Sequence, residues 1–480
     1  MLRNLASPGT LTDLNTGEVW APERFCEEIE RRVAWLLGRG LGPSPRVLIA
    51  HAGTPAFFAD LFAVWHLGAC AACVDSGLSA PELDNLVRFF EPELVLLDAS
   101  FGRSLAVPSA CSARELPPAG GELPPAAGRM EDPALVLFTS GTTGDPKGVV
   151  HTFRSLLARV SFNRYEIGKR ALERSLCLLP THFGHGLIGN CLTPLYGGHH
   201  LFLWGGFRRD PARLGAIIDE HEIRFFSSVP THWKLALESA APPRGASLRR
   251  VHIGSAPLSA ELWRAAQAWS GVREVVNAYG ITEAANWICG ASAAELEPED
   301  GLIGKPWGGE MCVRDEAGDL HQSGEGELMV RNPALMRGYL AREDLTLRVM
   351  QDGWFRTGDF GSLDEGGVAR LCGRYASAIN RSGVKLYPED IDLVLERHPD
   401  VREACAFALS DEIHGEVVAA AVRVAPGASL SPRALEEWCR ERLRRQAVPG
   451  AWFFLDEIPK TERGKVSRER VREACLRGGK

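Results

Sequence analysis

The sequence predicts an α/β protein with a large N-terminal domain of layered β-sheets and flanking helices, followed by a small α+β domain. Three observations predict it. A chain of 480 residues is too long for one core. Short apolar runs alternate with longer amphipathic stretches through most of its length. After about Arg374 the pattern changes to paired strands and one basic amphipathic helix.

In chain order, RVLIA (46–50), ELVLLD (93–98), ALVLFT (134–139), HLFLW (200–204), IRFFSSV (223–229) and RRVHIG (249–254) read as strands. Helix-like stretches such as PERFCEEIERRVAWLLGRG (22–40) lie between several of them, which points to largely parallel sheets. LPPAGGELPPAAG (116–128) reads as a surface connection of proline and glycine. Past Arg374, ACAFALS and VVAAAVRV read as strands and LEEWCRERLRR as a helix. A boundary near residues 374 to 377 gives domains of 1–374 and 375–480.

A hydrophobic fraction of 45% with 24% charged residues describes a globular chain in water. The longest apolar run, Leu61 to Val74, is broken by His66, lies between Asp60 and Asp75, and is too short to span a bilayer. The N-terminus, MLRNLASPGTLTDL, lacks a continuous apolar segment ahead of a small-residue cleavage site. A cytoplasmic location with twelve reduced cysteines is the expectation. In Cys70-Ala-Ala-Cys73, buried structural thiols are favoured over a redox pair. A net charge of −7 argues against a general nucleic-acid binder. From Arg433 to Lys480, thirteen Lys/Arg stand against eight Asp/Glu, either a solvated helix face or a surface for an anionic partner such as a nucleotide or an acidic carrier protein.

The stretch LFTSGTTGDPKGVVH (137–151) carries the chemistry. A strand opens into Thr139, Ser140, Gly141, Thr142, Thr143 and Gly144, with Lys147 three residues on. Glycines let backbone N–H groups turn inward, hydroxyls donate further bonds and the lysine adds positive charge, which together suit phosphate. The G-x-x-x-x-G-K-[ST] spacing of a Walker A loop is absent. By composition alone, a surface turn is an equal reading.

The full string is more specific than its composition. Thr139 to Gly148 match T-S-G-T-T-G-x-P-K-G, the loop of the adenylate-forming superfamily, which includes acyl- and aryl-CoA synthetases, adenylation domains and luciferases. Further stretches resemble that superfamily in order: NAYGITEA (277–284), GELMVRNPALMRGYL (326–340), GWFRTGDF (353–360), GRYASAIN with SGVKLYPEDID (373–392) and IPKTERGKVSR (458–468). The resemblance covers nearly the whole chain.

It implies two half-reactions at one site: a carboxylate attacks the α-phosphorus of ATP to give an acyl-adenylate and pyrophosphate, and a thiol then takes the acyl group and releases AMP. By resemblance, residues Thr139 to Lys147 hold the β- and γ-phosphates, Glu283 ligates Mg²⁺ and Thr282 meets the α-phosphate. Tyr279 packs on adenine, beside Gly280, while Asn277 and the turn Gly254-Ser255-Ala256 line the base. Asp359 accepts from the ribose hydroxyls, and Arg374 reaches ribose or phosphate. Lys465, on a small mobile C-terminal domain that acts as a lid, neutralises charge between the attacking carboxylate and the α-phosphate. The cofactors and partners implied are ATP, Mg²⁺, a small carboxylic acid, and coenzyme A or the phosphopantetheine of an acyl carrier protein.

The chain also departs from the family pattern. G-R-x-x-D-x-I-K becomes GRYASAIN, so Ser377 stands where Asp is common and Asn380 where Lys is common; Gly383 remains near the expected thiol tunnel. L-P-x-F-H-x-x-G-L becomes LPTHFGHGL (179–187), which puts Phe183 on the usual histidine with His182 and His185 on either side. No aspartate lies between Leu179 and Leu195, against an α-amino acid substrate. His182, Phe183, His185, Ser228, Trp233 and Ser255 are read as flanking a pocket for a medium-sized aromatic or acyl carboxylate. His182, His185 and Cys191 lack a fourth ligand and a recognised zinc spacing.

The leading expectation is an ATP-dependent carboxylic acid–thiol ligase that makes an acyl- or aryl-CoA. The alternative is a stand-alone adenylation enzyme that loads a separate carrier protein, since no carrier domain follows Lys480. An inactive nucleotide-binding scaffold is a third reading, opposed by the intact loop, Glu283, Asp359 and Lys465.

Overall fold

The computed structural model describes residues 8–41, 44–51, 53–97, 107–116, 125–140, 146–381, 384–411, 415–460 and 466–478. They form two compact units. The first comprises the described residues up to Pro298 with Ile303–Glu310 and Val330–Phe355; the second comprises Glu299–Leu302, Met311–Met329 and the described residues from Arg356 onward.

The first unit is built on two sheets. In one, the strand order is Gly338–Tyr339, Pro146–Thr152, Pro133–Ser140, Cys70–Cys73, Arg46–Ala50, Leu94–Leu97, Ser109–Ala110. The last five are parallel, and the first two run antiparallel to their neighbours. In the other, Glu274–Ile281, Arg250–Gly254, Phe225–Ser228, Arg174–Cys177, His200–Leu203 and Leu11–Asp13 are parallel in that order, flanked by antiparallel Asn286–Ser292 and Glu18–Trp20. The apolar runs read as strands at 46–50, 93–98, 134–139, 200–204, 223–229 and 249–254 therefore form the parallel layers of an α/β fold. Leu94–Leu97 is buried throughout, which is why it reads as a continuous apolar run rather than an alternating one.

Helices cover these sheets for local reasons. Pro22–Gly38 starts on a proline whose missing N–H costs nothing at that position, and buries Phe25, Ile29, Arg32, Val33 and Leu36 along one stripe. Pro55–His66 is capped by Thr54, which accepts from the Phe57 amide at 3.3 Å. Its Trp65 indole donates to the Ala134 carbonyl at 2.7 Å and fixes the helix to the strand that leads into the glycine-rich stretch. The apolar run from Leu61 to Val74 is thus the end of this helix followed by the buried strand Cys70–Cys73. Among the described residues no helix is long and apolar enough to cross a membrane. The twelve cysteines are free, and burial pushes the Cys70 thiol up to about 12, which makes it inert at neutral pH.

The second unit contains two sets of paired strands. One runs in the order Leu320–His321, Glu310–Arg314, Gly324–Arg331, Trp354–Leu363, Ala369–Arg374. The other runs Val384–Leu386, Ile379–Arg381, Gly415–Val424, Val401–Asp411, with Ala451–Phe454 parallel to Gly415–Val424. Alternate residues of the long strands serve two cores. Ala404, Ala406, Val418 and Ala420 pack with Ile391, Leu395 and Leu435, whereas Cys405, Phe407, Ala419 and Ala421 pack with Ile458, Val471 and Cys475.

A charged centre lies inside the first unit. The Asp60 carboxylate accepts from Arg32 Nε at 2.8 Å, from Ser112 Oγ at 2.9 Å and meets His51 Nε2 at 2.8 Å, with Arg32 and Asp60 both buried. Replacing Asp60 by alanine leaves the Arg32 guanidinium buried with one carboxylate partner fewer, and should destabilise the first unit by about 3–5 kcal/mol. Guanidinium unfolding followed by tryptophan fluorescence checks this, and an unchanged midpoint would show that the centre contributes nothing.

Candidate active site

The glycine-rich stretch follows the first strand of a β-hairpin. Pro133–Ser140 and Pro146–Thr152 pair with Thr139 opposite Lys147 and Ser140 opposite Pro146. Thr139 Oγ1 donates to the Lys147 carbonyl at 3.5 Å. Gly141, Thr142, Thr143 and Gly144 lie outside the described residues. Gly338–Tyr339 adds to the outer side of Pro146–Thr152 with Tyr339 opposite Val149. Lys147 shares a face with Val149, two residues on, so it is a diagonal neighbour of Tyr339. Its ammonium sits 3.7 Å from the Tyr339 ring centroid.

Glu283 completes this cluster. Its Oε1 accepts from the Tyr339 hydroxyl at 2.7 Å and lies 3.7 Å from Lys147 Nζ. Burial, then the charge of Glu283, pushes the Tyr339 phenol up, so it stays protonated and donates. The residue sits in a single 3₁₀ turn, Thr282–Ala284, at the end of the strand Glu274–Ile281. Three successive carbonyls of that turn are engaged. The Thr282 carbonyl accepts from His151 Nε2 at 2.8 Å, that of Glu283 from the Met336 amide at 2.7 Å, and that of Ala284 from Arg159 Nε at 3.1 Å. Ala285, next in the chain, is left-handed at φ 64°.

The remaining nucleotide candidates of this unit lie at the carboxyl ends of neighbouring parallel strands, where open α/β sheets place ligands. Ser228 pairs with Ile253 and Ile253 with Asn277, so the three stand abreast. Gly254 faces Ala278, and a Cβ there would lie 2.3 Å from the Ala278 carbonyl oxygen. Ser255 follows at φ 68°, a strained position for a non-glycine residue, and Ala256 is exposed. The register shifts between Tyr279 and Gly280, where the backbone passes so close to Asn286 that a Cβ on Gly280 would meet its carbonyl oxygen at 2.4 Å.

The acyl-pocket candidates divide into three groups. His185 is held between two serines: Nδ1 lies 2.8 Å from Ser255 Oγ and Nε2 2.6 Å from Ser227 Oγ. His182 is buried, 3.7 Å from Asp75, with its ring 3.9 Å from that of Phe183. Trp233 is buried against Phe226 and Trp269, and its indole donates to Ser228 Oγ at 2.8 Å.

In the second unit, Asp359 and Arg374 are register partners on antiparallel strands, and Arg374 Nε lies 3.0 Å from Asp359 Oδ1. Asp359 is buried while the Arg374 side chain is largely exposed. Ser377 Oγ lies 3.2 Å from the Arg374 carbonyl and 3.1 Å from Glu389 Oε1. The Asn380 amide donates to Glu416 at 2.7 Å. Gly383 and Lys465 lie outside the described residues; Lys460 and Val466, on either side of the latter's segment, form an antiparallel bridge.

Four residues of this geometry carry no role in the sequence reading. Tyr339 sits inside a stretch matched as a motif and His151 lies three residues past the match that ends at Gly148, but neither position shows that they grip the Glu283 turn. Ser227 neighbours Ser228 and alternates to the opposite face, and Arg159 sits in a helix with no motif at all. Of these, only Tyr339 had a legible signal, a polar aromatic next to a glycine that ends a strand.

A hydroxyl- and glycine-rich stretch after a parallel strand, Lys147 opposite the end of that strand, a carboxylate just past the end of another, and a second unit with its own buried aspartate describe a nucleotide-using enzyme. Comparison makes the class definite. Residues 23–340 match the family model described as AMP-binding enzyme, and residues 390–465 match AMP-binding enzyme C-terminal domain. The chain belongs to the AMP-binding enzyme family, within the adenylate-forming superfamily. It is 30% identical to a feruloyl-CoA synthase of Amycolatopsis sp, over 93% of this chain and 92% of that one, and 29% identical to a probable CoA ligase, CCL9, of Humulus lupulus, over 94% and 91%. The o-succinylbenzoate coenzyme A synthetase MenE from Bacillus subtilis, solved in complex with ATP and magnesium ion, superposes with a TM-score of 0.88 at 25% identity, covering 98% of both chains.

Burial pushes His151 down from 6.5 to about 4, so at neutral pH it is an uncharged donor to the Thr282 carbonyl. The unfolded chain binds a proton at the ordinary histidine value, so between pH 6.5 and about 4 it holds more protons than the folded chain. Stability therefore falls as pH falls through that window, by up to about 3 kcal/mol from this residue. His200, lowered to about 4, and His232, lowered to about 3, act in the same direction. Guanidinium midpoints at pH 7 and pH 5 should show the loss, and His151→Gln should reduce it.

Proposed function

We propose that this enzyme is an ATP-dependent carboxylic acid–coenzyme A ligase acting on an aromatic or medium-sized acyl acid. The observation that carries the reading is the meeting of Lys147, Glu283 and Tyr339 beside the glycine-rich stretch, in a chain that matches the AMP-binding family model across residues 23–340. Acceptance of free coenzyme A, rather than a carrier protein, is supported by relatives named as CoA ligases and a CoA synthase.

In the first half-reaction a carboxylate oxygen of the acid attacks the α-phosphorus of ATP. A P–O bond forms, the bond to the β-phosphate breaks and pyrophosphate leaves. Negative charge gathers at the phosphates, so the protein must supply oriented donors and cations there. Thr139, Ser140, residues Gly141 to Gly144 and Lys147 are assigned to the β- and γ-phosphates, Thr282 to the α-phosphate, and Lys465 to the charge on the attacking carboxylate. Asn277, Tyr279, Gly280 and the turn Gly254 to Ala256 hold the base; Asp359, oriented by Arg374, accepts from the ribose hydroxyls.

The residues present fit Mg²⁺. Glu283 accepts the Tyr339 hydroxyl on Oε1, which is also its nearest oxygen to Lys147, and a lone carboxylate so oriented suits an ion that uses one or two carboxylates plus phosphate oxygens. Among the described residues no group of three or more His, Cys, Asp and Glu could hold a metal unaided. Bound there with ATP, the ion would neutralise phosphate charge and orient the triphosphate.

In the second half-reaction a thiolate attacks the acyl carbonyl, a C–S bond forms and AMP leaves. The segment from 375 onward is assigned to a small domain that turns about Ser377 between the two steps and brings Gly383 to the thiol. The acid is assigned to His182, Phe183 and His185 with Ser228, Trp233 and Ser255. The His185 imidazole, engaged at both nitrogens by serines, presents a polar wall rather than an ammonium-binding aspartate.

A pyrophosphate-release screen over aromatic, medium-chain and amino acids tests the substrate class. Release is expected with aromatic or medium-chain acids, and its absence across both would refute the assignment. Mass spectrometry with coenzyme A and with a holo-carrier protein then separates the acceptors. Lys465→Ala should slow acyl-adenylate formation by about 10²-fold or more while ATP binding persists; an unchanged rate would remove it from the chemistry.

A further inference from the structure

Glu283 as metal ligand leaves one question: what keeps a partly exposed carboxylate aimed at the metal while a lysine that must serve phosphate lies 3.7 Å away? The phenol between them does so. Tyr339 is buried, its hydroxyl donates to Glu283 Oε1 at 2.7 Å and its ring face carries Lys147 at 3.7 Å. Tyr339 is itself fixed from several directions. Register pairs it with Val149, its amide donates to Thr346 Oγ1 at 2.9 Å, and the amides of Arg337 and Leu340 donate to Val150 and Gly148 carbonyls at 2.8 Å.

We propose that Tyr339 is a positioning residue for the reaction: it fixes one oxygen of Glu283 so that the other is presented to magnesium, and it gives Lys147 an aromatic seat that does not require the carboxylate. The inference rests on the reading of Glu283 as the metal ligand. The main chain of Glu283 is already held by Met336, with His151 and Arg159 on the flanking carbonyls, so the side-chain torsions are the freedom left to control. A phenol held neutral serves this end better than a second cation. It orients the carboxylate without neutralising it, and the negative charge stays available to a divalent ion.

The test is Tyr339→Phe, which keeps the ring and its contact with Lys147 and removes one hydroxyl. ATP binding is measured by titration calorimetry on the full chain, without any acid, in magnesium and in EDTA. The expected result is about tenfold weaker binding in magnesium, the loss of one hydrogen bond to a charged group, with binding in EDTA within twofold of the parent. The rate of acyl-adenylate formation should recover as magnesium is raised. Unchanged binding in magnesium, or an equal loss with and without it, would overturn the inference. Glu283→Gln in the same titrations keeps the two failures apart. If it shows no magnesium-specific loss, the metal-ligand reading fails; if it shows one and Tyr339→Phe does not, only the role of Tyr339 fails. A thermal melt of each variant, expected within a few degrees of the parent, shows that both are folded when titrated.

Discussion

The antiparallel docking of two residues, Gly338 and Tyr339, against the strand Pro146–Thr152 is the constraint on which the meeting of Lys147 and Glu283 in the first unit depends. The glycine-rich stretch leads to Lys147 from one side of the hairpin, and Glu283 comes from a strand of the other sheet. Neither has a covalent reason to find the other. Register supplies it: with Tyr339 opposite Val149, the ring lies diagonal to Lys147 and its hydroxyl reaches Glu283. A one-residue slip would turn Tyr339 to the opposite face and separate cation from carboxylate.

Holding Glu283 has required charge where hydrophobic packing would be less costly. Arg159 is buried, recorded with two carbonyl partners, those of Ala284 and Trp307, and burial pushes its guanidinium down to about 9. Its Nη2 has no partner among the described residues. Such a group is expensive unless it does something an apolar side chain cannot. Here it fixes the carbonyl just before the left-handed Ala285, so the strained exit from the Thr282–Ala284 turn is held by a long donor fork in addition to the packing of buried Ala285.

The α/β layers were legible because buried parallel strands read as unbroken apolar runs, as 94–97 and 47–50 show. The residues assigned to the nucleotide could be named because ordered motif stretches carry them, down to Thr282 and Glu283. What could not be read was contact across elements. Nothing in the sequence pairs Tyr339 with Glu283, 56 positions apart, or His151 with Thr282, 131 apart. The acyl side was least legible for a related reason. LPTHFGHGL offers three rings in four positions, and only the fold shows that His185 is clasped by Ser227 and Ser255 while His182 lies towards Asp75.

The departure at Ser377 follows from charge already present around it. Its hydroxyl lies 3.1 Å from Glu389 Oε1, and that same oxygen is 2.9 Å from Arg468 Nη2. Arg468 also meets Asp392 at 2.7 Å, and burial with the neighbouring Glu389 pushes Asp390 up to about 6. Two carboxylates, those of Glu389 and Asp392, therefore share one guanidinium. An aspartate at 377, common in the family, would add a third beside Glu389 with no further cation among these contacts, and like charges at that distance raise each other's cost of ionisation. A serine keeps the hydrogen bond to Glu389 and carries no charge. The same argument makes Glu389 and Arg468, rather than residue 377 alone, the groups that set how firmly the start of the helix Pro388–Glu396 is tied to the segment that follows Lys465.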